Sequence, residues 1–409
     1  MNFNTTLLHK DFESDRSTGS TLPPIYQVSA FAHESAEKLE AVFNNKAPGF
    51  AYTRAGNPTN DSFEKRIAAI EGGIGAVACS SGMAAVAVSL LNFLRAGDEV
   101  VASAALFGGS IDLFKDFEAF GIVTRFVDDV TAANIEQSIN EKTKAVFVEL
   151  VGNPKLNVVD LDTVSAVTKA HKIPLIVDAT TATPYLIHPL QHGANIVVHS
   201  TSKYINGSGS AISGIIIDGG NFVWDVSRYP GLDEYKRFGK FAYLAKLRNG
   251  LWRNVGCCLA PVNAYLNSIG LETLGLRMER LCENALKLAE FLETVPRISV
   301  NYPALKSSPY YELVQKQFGG KGGAILTIDA GSKERAFKLI NSLKFARIAT
   351  NIGDVRTLVI HPASTIYTHS DEAARLKAGV TAGTIRVSLG IEDFADLKAD
   401  FEQALKNLD

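Results

Sequence analysis

Cysteine is scarce. The 409 residues hold four, Cys79, Cys257, Cys258 and Cys282, with no Cys-x-x-Cys pair and no histidine spaced to complete a zinc site. That pattern excludes a disulfide framework and a zinc module, and predicts reduced, mostly buried thiols. Long apolar runs are missing too, which excludes a membrane-spanning helix. The opening stretch Met1 to Lys10 has no apolar signal-peptide core, so a cytoplasmic protein with no membrane partner is expected. Neither sign of charge is in excess: Lys and Arg number 41, Asp and Glu 43, and no basic block or basic-aromatic stripe occurs, so nucleic acid is not an expected partner. Gly-x-Gly-x-x-Gly after the first strand and the phosphate-loop pattern ending in Gly-Lys-Ser/Thr are both absent. Ser208-Gly209-Ser210 lacks the flanking glycines of a nucleophile elbow. What remains is the composition of an ordinary soluble globular protein, 46% hydrophobic and 21% charged, long enough for one large core and a smaller second domain.

Residues 1 to about 57 have weak periodicity and carry Gly19, Pro23-Pro24, Pro48-Gly49 and Gly56-Asn57-Pro58, the marks of an extended arm. Within it Tyr52 and Arg54 stand two apart and point the same way if extended; together they suit a phosphate, although a surface Arg packed on a Tyr gives the same pattern. A helix entered through Pro58 and stopped by Gly72-Gly73 follows, then a short strand, Gly75 to Cys79. The small-residue turn Ser80-Ser81-Gly82-Met83 opens an apolar helix to about Leu94. Such a turn leaves free N–H groups at the positive end of a helix dipole, fit for an anion or simply for close packing.

From there strands and amphipathic helices alternate, with strands near 99–102, 122–127 and 145–150, the last ending in Gly152-Asn153-Pro154. That alternation predicts an α/β protein with a mostly parallel sheet and right-handed crossovers. Two further β-branched runs, Leu175 to Val177 and Ile196 to Val198, break off into Asp178-Ala179-Thr180 and His199-Ser200-Thr201-Ser202-Lys203. They read as buried strands delivering an aspartate and a lysine to one rim of the sheet, where open α/β sheets place ligands. A lysine near an apolar sheet edge has the lowered pKa that Schiff-base chemistry needs, and a buried aspartate facing it suits a pyridinium nitrogen; the alternative is a solvated lysine opening a loop. His199 and Ser200 do not make a hydrolase pair, because adjacent strand residues point to opposite faces. The aromatic stretch Gly219 to Arg253 reads as a lid or an interface, and residues 261 to 295 as a long helix, whole or broken, leading to a smaller α+β unit.

Taken together, Tyr-Thr-Arg-Ala-Gly-Asn-Pro-Thr (52 to 59), Ser-Ser-Gly-Met-Ala-Ala (80 to 85), Gly-Asn-Pro (152 to 154), Val-Asp-Ala-Thr-Thr-Ala-Thr-Pro (177 to 184), His-Ser-Thr-Ser-Lys (199 to 203) and Ile-Arg-Val-Ser-Leu-Gly-Ile-Glu-Asp (385 to 393) resemble, in order and spacing, the Cys/Met-metabolism pyridoxal-phosphate enzymes. Within that family the aromatic segment, Pro-Tyr-Tyr-Glu-Leu (309 to 313) and Asn-Ile-Gly-Asp (351 to 354) are most similar to O-acetylhomoserine sulfhydrylases. The resemblance implies a fold type I architecture: an arm (1–60) reaching a neighbouring subunit, a cofactor-binding domain (61–260) and a C-terminal domain (261–409). It implies pyridoxal 5'-phosphate held covalently by Lys203, with Asp178 at the pyridine nitrogen and Thr180 and Phe107 as further cofactor contacts. The phosphate would lie on the Gly82 and Met83 amides and the Ser200 and Ser202 hydroxyls, joined by Tyr52 and Arg54 of another chain in a homotetramer built as a dimer of dimers. Arg386, with Asn153 and Asn351, would bind the amino-acid substrate. The implied reaction is γ-replacement of the acetate of O-acetylhomoserine by a sulfur donor. A γ-lyase or cystathionine synthase of the same family, or a catalytically weakened homologue, are the alternatives. Three positions depart from the family pattern: Phe107 stands where a tyrosine is usual, Ala179 where an asparagine is, and Ser208 where a histidine is.

Overall fold

The computed structural model describes residues 1–11, 14–15 and 18–408. Its larger sheet is built from β1 (Gly75–Cys79), β2 (Glu99–Ser103), β3 (Val123–Val127), β4 (Thr143–Glu149), β5 (Leu175–Asp178), β6 (Ile196–His199) and β7 (Gly214–Asp218). The spatial order is β1-β7-β6-β5-β4-β2-β3. Only β7 runs against the rest, lying antiparallel between β1 and β6. Alternation along the strands sorts the side chains onto two faces. Val146, Val148, Val177, Val197, Ile215 and Ile217 join one core cluster, while Phe147, Ile176, Ile196, Val198 and Ile216 join the other. All are essentially inaccessible to water. Burying each such side chain contributes about 1.5–3 kcal/mol, which is why these short runs hold as strands without strong turn signals.

The helix at Pro58–Glu71 has its expected punctuation: the Asn57 side chain accepts from the Thr59 N–H at 2.9 Å, Pro58 occupies the first turn, and Gly72 closes it at φ +80°. The residues from 261 to 295 form two helices, Pro261–Glu272 and Leu274–Glu293, parted at Thr273. Beyond them a five-stranded sheet, β8 (Ser299–Asn301), β9 (Ile325–Asp329), β10 (Arg347–Ile348), β11 (Leu358–Ile360) and β12 (Thr384–Ser388), takes the order β10-β11-β12-β9-β8. Among the described residues no helix is long and apolar enough to cross a membrane.

Two readings of the sequence need correction. The arm is not wholly extended: Phe3–His9 and Ala36–Phe43 are helical, the second capped by Ser35, which accepts from the Lys38 N–H at 3.2 Å. The aromatic stretch from 219 to 253 is in large part neither lid nor interface but core. Trp224, Tyr229 and Tyr243 pack around Phe93 and Phe222 packs on Trp224 and Tyr229, with Trp224 and Tyr243 stacked at 5.3 Å, and Tyr229, Tyr243 and Trp252 are almost fully buried. Their polar ends find backbone acceptors, Tyr229 Oη on Lys144 O, Tyr243 Oη on Ser89 O and Trp252 Nε1 on Ala78 O, at 2.9–3.0 Å, so burial leaves these groups satisfied. All four thiols are free, Cys79 and Cys282 buried, Cys257 and Cys258 half-buried.

Candidate active site

β4, β5 and β6 end side by side at one rim, and the helix Gly82–Leu91 begins there after β1. A cavity of about 510 Å³ opens at this rim, within the size range of small-molecule sites. Of the residues singled out in the sequence, Gly82, Met83, Phe107, Asn153, Asp178, Thr180, Ser200, Ser202, Lys203, Asn351 and Arg386 all line it. Tyr52 and Arg54 do not: Tyr52 is 44% exposed, and Arg54 lies over its ring and donates to the Arg253 carbonyl at 2.7 Å.

At one end of the cavity the helix N-terminus meets β6. Ser81 caps the helix by accepting from the Ala84 N–H at 3.0 Å, which leaves the first-turn N–H groups of Gly82 and Met83 without an intrahelical acceptor. A Cβ on Gly82 would stand 2.5 Å from the Ser200 Cβ, so only glycine lets the helix start against the strand end. The result is a cradle of amides and the Ser200 hydroxyl at the positive end of a ten-residue helix, a fit for a phosphate dianion. The Ser202 hydroxyl is shared with the Ser213 backbone, donating to its carbonyl at 3.0 Å and accepting from its N–H at 2.8 Å, while Thr180 Oγ1 accepts from the Ser200 N–H at 2.8 Å.

Further in, Asp178 accepts from the Thr180 N–H at 2.9 Å. Burial pushes its carboxyl above the ordinary carboxylate range, with the Thr180 hydrogen bonds pulling the other way, so a cationic ring nitrogen is the partner that would restore its charge. Lys203 donates to Asn351 Oδ1 at 2.5 Å, and its amine is pushed down to about 8 by burial and then by the Arg386 charge. Arg386 is 2% exposed, donates to Asn153 Oδ1 at 3.2 Å and to the Asn351 carbonyl at 3.1 Å, and keeps a buried Nε with no partner. A guanidinium charge at the cavity wall, tied only to neutral acceptors, suits a carboxylate. Amide cradle, carboxylate, amine and fork are thus the complement of groups that pyridoxal phosphate and an amino acid present.

Sequence reasoning passed over Glu149, which ends β4 in register with Asp178 on β5 and also lines the cavity. The apolar Leu150-Val151 that follow it masked the end of the strand. Of the three departures from the family pattern, only Phe107 faces the cavity. Ala179 is packed in the core, and Ser208 closes a turn by donating to Asn206 Oδ1 at 3.1 Å. His199 turns away from Ser200 to the opposite face, where its Nε2 meets the buried Glu71 carboxylate at 2.5 Å.

The sequence profile of the Cys/Met metabolism PLP-dependent enzymes matches residues 4–406. An O-acetyl-L-homoserine sulfhydrylase of Leptospira meyeri is 41% identical, with 99% of this chain and 96% of that one aligned. A homocysteine synthase of Schizosaccharomyces pombe is 40% identical over 99% and 98%. A solved Campylobacter jejuni chain assigned as O-acetylhomoserine (thiol)-lyase, carrying N'-pyridoxyl-lysine-5'-monophosphate, superposes with a TM-score of 0.92 at 35% identity, covering 99% of this chain and all of that one.

Proposed function

Because the chain belongs to the Cys/Met-metabolism pyridoxal-phosphate-dependent enzymes, we propose that it joins a sulfur nucleophile to O-acetyl-L-homoserine, giving homocysteine and acetate. The observation that carries the reading is the convergence of Lys203, Asp178 and Arg386 with the Gly82–Leu91 helix start on one cavity. Pyridoxal phosphate bound at Lys203 supplies an electron sink that makes the substrate's Cα and Cβ protons acidic. The chain's own residues do the rest. Gly82, Met83 and Ser200 hold the phosphate, Asp178 keeps the ring nitrogen protonated, and Phe107 stacks on the ring. Arg386, set by Asn153 and Asn351, grips the substrate carboxylate and so aims Cα at the Lys203 amine. That amine takes the proton from Cα, then serves at Cβ, while the Cγ–O bond breaks to release acetate and a Cγ–S bond forms with the incoming sulfur. Tyr52 and Arg54 complete the phosphate site of a neighbouring subunit, and such dimers pair into a tetramer.

The deciding experiment supplies the purified, cofactor-loaded protein with O-acetyl-L-homoserine, with and without sulfide, and measures homocysteine and 2-oxobutanoate. Homocysteine forming only with sulfide is the expected outcome. Abundant 2-oxobutanoate regardless of sulfide would replace the synthase with a γ-lyase.

A further inference from the structure

Glu149 has no place in the reaction just described, yet it is built into the same wall. It ends β4 one ladder position from Asp178, is 6% exposed and faces the cavity. Its Oε2 accepts the backbone N–H of Phe107 at 2.7 Å, across 42 residues of sequence. Phe107 introduces the helix Gly108–Asp116 with extended ψ (135°) and no side-chain cap. Its ring lies so close above Gly109 that a Cβ there would stand 2.7 Å from Cε1. No other aromatic ring pairs with it among the described residues, so the ring's placement depends on its backbone. The backbone in turn is tied to Glu149.

Neighbouring strands lie about 4.8 Å apart, and two carboxylates at matching positions on one cavity wall raise each other's pKa. We propose that Glu149 is a positioning residue: its carboxyl oxygen holds the Phe107 backbone and so fixes that ring over the cofactor, while Asp178 is left to the ring nitrogen. Burial first, and the Asp178 charge second, push the Glu149 carboxyl well above the ordinary carboxylate range, in keeping with that division. The hydroxyl that a tyrosine would bring at position 107 is absent, so the ring acts here through its placement alone. This rests on the pyridoxal-phosphate reading above.

The test compares full-length, cofactor-loaded wild type with E149Q, E149A, F107A and the E149A/F107A double variant. It reads the induced circular dichroism of the cofactor's visible band alongside kcat and KM. E149A and F107A are each expected to weaken the dichroic band and to lower kcat about tenfold, and the double variant to fall within about twofold of F107A, because both remove the same placement. E149Q keeps a neutral carbonyl acceptor for the Phe107 amide and is expected to lose less than about threefold. E149D, too short to reach that amide, takes the place of E149A if the alanine variant does not fold. Losses that multiply in the double variant, or E149Q as damaged as E149A, overturn the proposal. A wild type that takes up no cofactor overturns the functional reading and this proposal with it; a loaded wild type with either of the former results overturns this one alone.

Discussion

Lys203 is pulled toward its neutral form from two directions, by the loss of water around it and by the Arg386 guanidinium, which together bring its amine to about 8. Below that pH the free amine carries a proton and has no lone pair to attack an aldehyde; above it the nucleophile is ready. The rate at which the cofactor-free protein takes up added pyridoxal phosphate should therefore fall on its acid side with an apparent pKa near 8, about tenfold per pH unit further down. In Arg386→Gln the repelling cation is gone, and the limb should move to higher pH while KM rises. The growth of the cofactor's visible band across the pH range, without substrate, decides it, and a limb that stays in place in the variant would sink the electrostatic account. Asp178 was legible because it ends a β-branched apolar run, and Lys203 because it closes the polar stretch in which the next such run breaks off; Arg386 was reached only through the family resemblance. Glu149 carried the same signal in weaker form. Its role was illegible because the contact it makes, with a backbone amide on a distant loop, leaves no trace in residue type.

At the scale of elements, β7 is the strand that departs from the parallel pattern, and it holds a buried acid at its end. Asp218 is 2% exposed; Oδ1 accepts from the Gly220 N–H at 2.8 Å and Oδ2 has no partner. Burial raises its carboxyl to about 7. The unfolded chain releases this proton near pH 4 and the native chain only near 7, so between those values the native state binds more protons and stability falls as pH rises. Asp218→Asn should then stabilise the protein on the order of a few kcal/mol at about pH 8, with the gain shrinking toward about pH 5. Denaturant unfolding at both pH values measures it, and an equal gain at the two would refute the ionisation argument. The buried strands of the larger sheet were readable from their β-branched runs. The short edge strands β8 and β10, three and two residues long with much of their surface in water, were not. The aromatic stretch misled for a physical reason: rings that fill a core and rings that face a partner have the same composition, and only packing separates them.

For the molecule as a whole, the arm is the part that one chain leaves unexplained. Ile25, Tyr26, Val28, Phe43 and Tyr52 are exposed on it, and Tyr52 and Arg54 stand outside their own cavity. If the arm serves a neighbour, inactive Arg54→Ala and Lys203→Ala chains should rescue each other. A mixed dimer places one intact arm over one intact lysine, so it should have about half of wild-type activity, and an unsorted random mixture about a quarter. Co-expression with two affinity tags and assay of the doubly tagged fraction reads this out, and a doubly tagged fraction as inactive as its parents would assign the arm to its own chain. One topological fact carries further. β1, the first strand of the larger sheet in sequence, has β7, the last, as its one strand partner among the described residues, and the helix Gly82–Leu91 hangs from β1 and packs on β7. On a chain emerging from the ribosome, β1 must therefore wait for the rest of the sheet to be synthesised. If that helix start holds the cofactor's phosphate, capture is a late event in the birth of this protein, because a nascent chain halted before Gly214 lacks the strand on which β1 is seated.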